Sequence, residues 1–307
     1  MLSSQSLPIT KEPKQDAEYN KICEEYNHRL KTLPKGNGWR VQHLYNYNGF
    51  WLDFATLKTN MLLNTYFKSQ PSDIFLASFM KTGTTWLKAL MFSTINRHKY
   101  SFSNHYLHHH GPQSTFPLID SEVYPVNDFT HVDPPRLFAT HYARSILPLC
   151  ITSCKCVYIC RDPKDVLVSK WIFMSKLRSK DLPALSLDEA FELFCKGVSE
   201  YGPYWEHVEL KMLAAFMGKP FTLEETEKGV VEEIVRLCSF ENVSNLEVNK
   251  KGVERFGKLV EVEKRSLFRK GEIGDWRNYL SQEMKDRMDG IFEEKLKGSG
   301  LVLTSRD

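Results

Sequence analysis

Residues 78–88, SFMKTGTTWLK, combine the residue types that bind a phosphate-like anion. An apolar run at 74–77 precedes them and predicts a strand, and a helical pattern begins near Trp86. The free N–H groups at a helix start bind anions, Gly83 allows close backbone approach, and Lys81 adds a positive charge. The order differs from the G-x-x-x-x-G-K-S/T loop of nucleoside triphosphatases, because here the lysine precedes the glycine. The alternative is an ordinary strand–turn–helix connection with a solvated lysine.

Two further segments place cations where anions commonly bind. Arg161 ends an apolar strand pattern directly before a helix start, and Ser169 lies two helical turns further on. The run Arg269-Lys270-Gly271 sets two adjacent cations beside a glycine. Three such sites, far apart in sequence, predict a ligand with more than one phosphate-like group. The alternatives are an ion pair of Arg161 with Asp162 or Asp165, a surface hydroxyl at Ser169, and a solvated basic turn.

His141 is the candidate proton acceptor. It follows the strand-like residues 136–140, so it lies at the edge of the sheet where the anion sites are expected. An imidazole with a pKa near neutrality is suited to removing a proton from an attacking hydroxyl. The alternative is a structural histidine whose hydrogen bonds are all satisfied.

Two clusters of metal-ligating residue types do not predict a metal site. Four cysteines lie close together but form no C-x-x-C pair: Cys150, Cys154, Cys156 and Cys160. The last two fall in an apolar strand pattern, where small buried side chains are expected. Four histidines share a segment with asparagine, glycine and proline, which predicts a flexible polar loop: His105, His108, His109 and His110.

The elements that must position these residues are those of an α/β domain. Apolar strand patterns at 74–79, 136–140 and 156–160 each precede a helix or a functional loop, which favours a parallel sheet flanked by helices. A helix at 19–33 and a hairpin at 39–52 come before them. Further helices are predicted to start at Asp162 with Pro163 and a return bond from Asp165, at Ser186 with Glu189, at Thr222 with Glu225, and at Ser281. The last of these is predicted to run through Phe292 and to end near Gly298.

Composition bounds the function classes. The chain has 307 residues, 42% of them hydrophobic, and a net charge of +3, which argues against a broad nucleic-acid surface. No apolar segment is long enough for a membrane span or a secretory signal, and the cysteine count is odd at seven. We expect a disordered tail at 1–18, one domain at 19–307, reduced thiols, a cytoplasmic location, a monomer, and no nucleic-acid or membrane partner.

In their order and spacing, these motifs resemble those of the plant cytosolic sulfotransferases. The resemblance covers about residues 30–300 and rests on the segments KTGTTW at 81–86, FATH at 138–141, YICRDPKD at 158–165 with Ser169, and RKG at 269–271 with GDW at 274–276. It implies a P-loop-like parallel sheet with helices on both sides. It also implies a small hydroxylated acceptor, such as a flavonoid, steroid, hydroxy acid or desulfo-glucosinolate.

The resemblance implies 3′-phosphoadenosine 5′-phosphosulfate as the donor and no metal. The resemblance also implies that the 5′-phosphosulfate is bound by the loop of Lys81, Thr82, Gly83, Thr84, Thr85 and Trp86. The adenine is then held by Trp86 and Phe240. The 3′-phosphate site is Arg161, Ser169, Arg269, Lys270 and Gly271. His141 is the catalytic base, and Lys81 neutralises charge on the leaving oxygen.

One departure from the family is large. After Val208 the chain joins directly to a stretch that the family places after a further strand and helix, so about one supersecondary unit is missing. The family's adenine-contacting tyrosine lies in that unit. We expect a sheet with one open position and one long helix across 204–217. The chain is then a splice form, a gene-model error or a degenerate copy, and the alternative function is a weakly active or non-catalytic relative.

Overall fold

The computed structural model describes residues 17–121, 129, 132–207, 222–256 and 260–297. The helices in these ranges are α1 (Ala17–Thr32), α2 (Phe54–Tyr66), α3 (Thr84–Ile95), α4 (Tyr106–His110), α5 (Pro163–Leu177), α6 (Leu187–Cys195), α7 (Leu223–Glu227), α8 (Val230–Leu237), α9 (Phe240–Asn245), α10 (Glu247–Lys250) and α11 (Gln282–Leu296). The strands are β1 (Lys35–Asn37), β2 (His43–Tyr47), β3 (Phe50–Leu52), β4 (Ile74–Ser78), β5 (Leu137–Thr140), β6 (Lys155–Ile159), β7 (Val253–Phe256) and β8 (Val260–Glu263).

A parallel sheet of order β5–β4–β6 confirms the α/β prediction. Phe75 of β4 lies opposite Phe138 of β5, and Leu76 opposite Val157 of β6. The central β4 and its neighbour β5 are buried throughout, as expected for strands covered on both faces. In β6 only Val157 is buried, and the described residues include no strand on its other side.

Parallel pairing brings the three strand ends to one edge of the sheet. The anion loop follows β4, His141 follows β5, and Arg161 comes two residues after the end of β6. Stacking of Phe75 on Phe138, with ring centres 5.2 Å apart, fixes β4 against β5 in the core. At the opposite edge of the sheet, the buried side chains of Arg136 and Asp73 form an ion pair of 2.6 Å just before β5 and β4 begin.

Most predicted helix caps are present. Ser186 accepts a hydrogen bond from Glu189 N (3.1 Å), and Ser281 accepts one from Met284 N (3.2 Å). Thr222 and Glu225 form both bonds of a capping box, since Thr222 Oγ1 accepts from Glu225 N at 3.2 Å and Glu225 accepts from Thr222 N at 2.8 Å. These local predictions are confirmed.

The start of α5 differs from its prediction in one residue. Asp162 caps the helix and accepts from Lys164 N (2.9 Å). Asp165 returns no bond to it; its two carboxylate oxygens accept from Gly274 N (2.8 Å) and Trp276 N (3.2 Å). A tertiary contact explains the difference, because the buried carboxylate of Asp165 satisfies two backbone N–H groups of the segment that follows the basic turn at 269–271.

The histidine-rich segment is a second correction. It was predicted as a loop, but Tyr106–His110 forms the short helix α4, with His105 Nδ1 accepting from Leu107 N (3.3 Å). In the described residues, no group of three or more His, Cys, Asp or Glu side chains could hold a metal ion.

Two hairpins flank the parallel sheet. The predicted one is confirmed as β2–β3, joined by Asn48 and Gly49, which both have positive φ (51° and 89°), as a tight hairpin turn requires. It gains β1 as a third strand. The β7–β8 hairpin had no prediction, and Val262 on it is buried.

The predicted long helix across 204–217 falls largely outside the described residues. Its first part, Tyr204–His207, is a turn of 3₁₀ helix. The predicted tail also lies mostly outside them, and α1 already begins at Ala17. None of the described helices has the length and apolar character needed to cross a membrane.

Candidate active site

A cavity of about 900 Å³ opens at the carboxyl edge of the parallel sheet. Every residue that the sequence singled out for catalysis or donor binding lines it: Lys81, Thr82, Gly83, Thr84, Thr85, Trp86, His141, Arg161, Ser169, Phe240, Arg269, Lys270 and Gly271. They come from five separate stretches of the chain, so the fold alone brings them together.

The loop after β4 has the geometry of an anion cradle. Lys81 and Gly83 both adopt positive φ, 71° and 123°. A Cβ atom at Gly83 would lie 3.1 Å from Ile159 Cδ1, so a side chain there would be crowded as well as strained. Because α3 begins at Thr84, the N–H groups of its first turn have no acceptor within the helix and remain available to a ligand.

The loop hydroxyls are partly engaged. Thr82 Oγ1 donates to Phe79 O (2.7 Å), which closes the turn. Thr84 Oγ1 and Ser78 Oγ share a hydrogen bond of 2.7 Å. Thr85 Oγ1 accepts from Gln113 Nε2 (2.7 Å), so its own proton is free to donate.

Lys81 lies in the loop after β4 and is repelled by other cations of the protein. Its Nζ lies 4.1 Å from the centre of the Phe173 ring. Burial of the ammonium, followed by repulsion from Arg269, Lys176 and Arg161, lowers its pKa to about 7. The side chain is still half-exposed towards the cavity. An anionic ligand bound among these cations would reduce their mutual repulsion.

The predicted 3′-phosphate residues are held by buried carboxylates. Arg161 Nη2 donates to Glu272 O (2.6 Å) and lies 3.2 Å from Asp165 Oδ2, so the ion pair considered as an alternative does form. Lys270 Nζ lies 2.6 Å from Asp275 Oδ1, and Arg269 pairs with the same carboxylate. The pairing orients the cations without removing them from the cavity wall.

Ser169 and Gly271 complete this end of the cavity. Ser169 is buried on α5 and lines the cavity. Gly271 has φ of 71°, and a Cβ atom there would lie 2.5 Å from Phe240 Cγ. Only glycine therefore allows the basic turn to approach the Phe240 ring so closely.

The cavity rim carries large apolar side chains that remain exposed. Trp86 is 46% exposed and Phe240 37%, and Val235 and Ile273, which also line the cavity, are exposed as well. Exposed apolar side chains grouped at a concave site are typical of ligand binding. Two aromatic rings at one end suit a planar base.

His141 has a defined tautomer. Its Nδ1 lies 2.7 Å from Ser78 O, and since a carbonyl oxygen only accepts, Nδ1 carries the proton and Nε2 keeps its lone pair. Burial lowers the pKa of His141 to about 4, with smaller contributions from Lys170, His207 and Lys88. The imidazole is therefore neutral at pH 7 and able to accept a proton.

Sequence reasoning missed Asp120, which lines the cavity beside His141. Its two oxygens accept from His141 N and from Thr140 Oγ1, both at 2.6 Å. Burial raises the pKa of Asp120 to about 7. No motif in the sequence marks this residue, because its partners lie at least twenty positions away.

Three other cavity residues were also missed. Lys88 and Gln113 line it from α3 and the turn after α4, and Arg40 does so in an ion pair with Asp53 (2.6 Å). A lysine inside a helical apolar pattern carries no signal by itself, and its burial is decided by the packing of α3.

The sequence profile of the family "Sulfotransferase domain" matches residues 71–212 and 209–300. Cytosolic sulfotransferase 17 of Arabidopsis thaliana is 39% identical over 319 aligned positions, covering 93% of this chain and 92% of that protein. Cytosolic sulfotransferase 15 of the same plant is 38% identical over 329 positions, covering 94% and 90%. Among solved structures, a putative steroid sulphotransferase of Arabidopsis thaliana is 31% identical with a TM-score of 0.64, covering 97% of this chain and all of that one.

A mouse sulfotransferase, SULT7A1, solved in complex with PAP, is 23% identical with a TM-score of 0.60 and covers 84% of this chain and 96% of its own. A retinol dehydratase solved with androsterone and PAP is 18% identical with a TM-score of 0.64, covering 94% and 97%. At these identities the likeness concerns the fold.

Proposed function

Because the chain belongs to the sulfotransferase family, we propose that it moves the sulfuryl group of 3′-phosphoadenosine 5′-phosphosulfate to a hydroxyl of a small acceptor. One observation carries this proposal: the predicted donor residues and His141 meet around a single cavity. Its volume of about 900 Å³ is at the upper end of typical ligand sites, which suits a nucleotide and a small acceptor together.

For the donor, we assign the 5′-phosphosulfate to the loop Lys81–Trp86 and the adenine to Trp86 and Phe240. The 3′-phosphate is assigned to Arg161, Ser169 and the basic turn at 269–271. Positive φ at Lys81 and Gly83, the exposed rim aromatics and the grouped cations support these assignments. The mouse and retinol dehydratase structures contain PAP, the product that this donor leaves.

The chemistry assigned to the site is an in-line displacement at sulfur. The acceptor hydroxyl oxygen forms a bond to sulfur while the bond from sulfur to the 5′-phosphate oxygen breaks. His141 Nε2 takes the hydroxyl proton, and its Nδ1 bond to Ser78 O keeps the lone pair on Nε2. Lys81 neutralises the charge that develops on the leaving oxygen. We propose no metal in this reaction.

The acceptor is proposed to be a small hydroxylated molecule of the flavonoid, steroid, hydroxy acid or desulfo-glucosinolate type. The retinol dehydratase structures contain androsterone or retinol, and each of these is a small molecule with a hydroxyl group. We further propose one domain at 19–307, a monomer, and a cytoplasmic location, since the curated relatives are named cytosolic sulfotransferases.

We also propose that one strand–helix unit is missing after Val208. Three observations support it. The alignment to Cytosolic sulfotransferase 17 has 319 positions, more than the 307 residues of this chain, and the family profile matches in two parts that meet at 209–212. The half-buried β6 is the described strand beside which the missing one would lie. This favours the second candidate function, a weakly active or non-catalytic relative.

Product formation decides between the two candidates. The purified chain is incubated with the donor and a panel of hydroxylated acceptors, and sulfated products are identified by mass spectrometry. PAP binding is measured in parallel by calorimetry. Sulfated product supports the enzyme. PAP binding without product from any acceptor supports the non-catalytic relative, and absence of both rejects the donor assignment.

A further inference from the structure

Lys88 is a buried cation that the proposed chemistry does not use. It lies on α3, one turn after Thr84, and is 2% exposed, yet it lines the cavity. Its Nζ donates to Gln113 O (2.7 Å) and lies 3.4 Å from Gln113 Oε1. An ammonium has three donors, and Gln113 accepts from at most two of them, so one donor remains.

Among the buried lysines of the described chain, Lys88 differs in having no carboxylate partner. Lys164 pairs with Asp289 and Asp162, and Lys170 pairs with Glu200 at 3.2 Å. No carboxylate in the described residues lies within 4.0 Å of Lys88 Nζ. A charge buried without a partner is costly, and burial lowers the pKa of Lys88 to about 7. Such a site is stabilised when a ligand brings the counter-charge.

Lys88 lines the same cavity as His141. It contributes to the lowered pKa of His141, whereas the cations that act on Lys81 are Arg269, Lys176 and Arg161. Glu254 on β7 acts on Lys88 from beyond ion-pair distance, and burial raises the pKa of Glu254 itself. The cavity lining thus contains the buried Lys88 in addition to the cations assigned to the donor.

We propose that Lys88 binds an anionic group of the acceptor, so that the favoured acceptors are hydroxylated acids whose carboxylate, or a similar oxyanion, pairs with this ammonium while the hydroxyl faces His141. The inference rests on the proposed function and narrows its acceptor class. Gln113 holds the ammonium in place, and the apolar neighbours Leu90 and Leu118 on the cavity wall contact the body of the molecule.

The probes are three phenolic acids with spacers of different length, each compared with its own methyl ester: p-hydroxybenzoate, p-hydroxyphenylacetate and p-hydroxyphenylpropionate. Their affinities are measured by calorimetry with and without PAP, and KM is measured with the donor. We expect at least one acid to bind about tenfold or more tightly than its ester, the size of a charge-assisted bond. Lys88→Met should remove this preference and leave ester binding unchanged.

Two controls keep the result interpretable. Lys99→Met removes an exposed lysine that follows α3 and does not line the cavity, so the acid preference should survive. If Lys88→Met does not fold, Lys88→Gln keeps a donor for Gln113 O, and its melting temperature reports folding. Equal affinity of acids and esters in the wild type, or an acid preference that persists in the Lys88 variants, would overturn the inference. Loss of PAP binding in the wild type rejects the proposed function, while the titrations without PAP still decide the role of Lys88.

Discussion

A histidine serves as a base only if the correct nitrogen is free, and the backbone of β4 determines this for His141. Ser78 O accepts from Nδ1, and Asp120 holds the His141 backbone N–H at 2.6 Å, so both the ring and its strand end are fixed. The lowered pKa keeps the ring neutral but also makes it a modest base. In the proposed reaction, catalysis by His141 therefore depends more on the position of its Nε2 than on its basicity.

We expect His141→Ala to lower turnover by about 10²–10⁴-fold, because the variant lacks the proposed base that takes the proton of the attacking hydroxyl. PAP affinity should hardly change, since His141 lies outside the grouped cations. The measurements are steady-state kinetics and PAP calorimetry. His109→Ala, at an exposed histidine away from the cavity, is the control. Equal turnover in wild type and His141→Ala would disprove the assignment of the base.

Lys81 gives the donor site a pH dependence. Its pKa of about 7 in the free protein means that the ammonium loses its proton as pH rises through neutrality, and a bound anion opposes that loss. Donor binding should therefore take up a proton and weaken above pH 7.5, by at most about tenfold per pH unit, where the phosphates are already ionised. PAP titrations in two buffers of different ionisation enthalpy measure the uptake. Lys81→Met should abolish it; an affinity independent of pH from 7.5 to 8.5 would contradict this role.

At the scale of elements, the basic turn and α5 act as one unit. Asp165 on α5 binds the backbone of the turn and pairs with Arg161, while Asp275 of the turn pairs with Lys270 and Arg269. Two carboxylates thus align cations from distant segments on one wall of the cavity. In this arrangement Arg161 can pair with Asp165 and still contribute to the proposed 3′-phosphate site.

We expect Arg161→Ala to weaken PAP by about 10–100-fold, the loss of one or two hydrogen bonds to a charged group. Adenosine 5′-phosphosulfate has no 3′-phosphate, so its affinity should change much less. Arg277→Ala is the matched control, because Arg277 is an exposed arginine of the same turn that does not line the cavity. Equal losses for both ligands in calorimetry would show that Arg161 supports the turn and does not recognise the 3′-phosphate.

The separation of two interacting residues along the chain explains which features could be predicted from the sequence. The caps at Ser186, Thr222 and Ser281 join residues three positions apart, so local pattern is sufficient. The return bond at Asp165 was wrong because its real partner lies 109 positions away. Asp120 and Lys88 were missed for the same reason, since only the fold sets their neighbours. The β-strand order was open as well, because each strand pattern identifies a strand without naming its partner.

At the scale of the molecule, the parallel sheet is small for a chain of this length. Three parallel strands lie in the described residues, against about five or six in a typical sheet. β4 and β5 are buried, whereas in β6 only Val157 is buried, Lys155 is exposed and the other three residues are half-buried. An additional strand beside β6 would bury that side of the sheet and, by family resemblance, would bring an aromatic side chain to the adenine.

Restoring the unit should therefore improve both stability and donor affinity. The variant inserts, after Val208, the corresponding segment of Cytosolic sulfotransferase 17, which aligns over 93% of this chain. Stability of a domain is only about 5–15 kcal/mol, so covering one strand edge should raise the melting temperature measurably. Stacking on a base adds about 1–3 kcal/mol, so PAP affinity should rise roughly tenfold. Calorimetry and thermal unfolding compare the two proteins, and an insert of the same length rich in glycine and serine controls for added chain. If the natural chain matches the restored one in melting temperature and PAP affinity, the segment is dispensable and β6 needs no further partner.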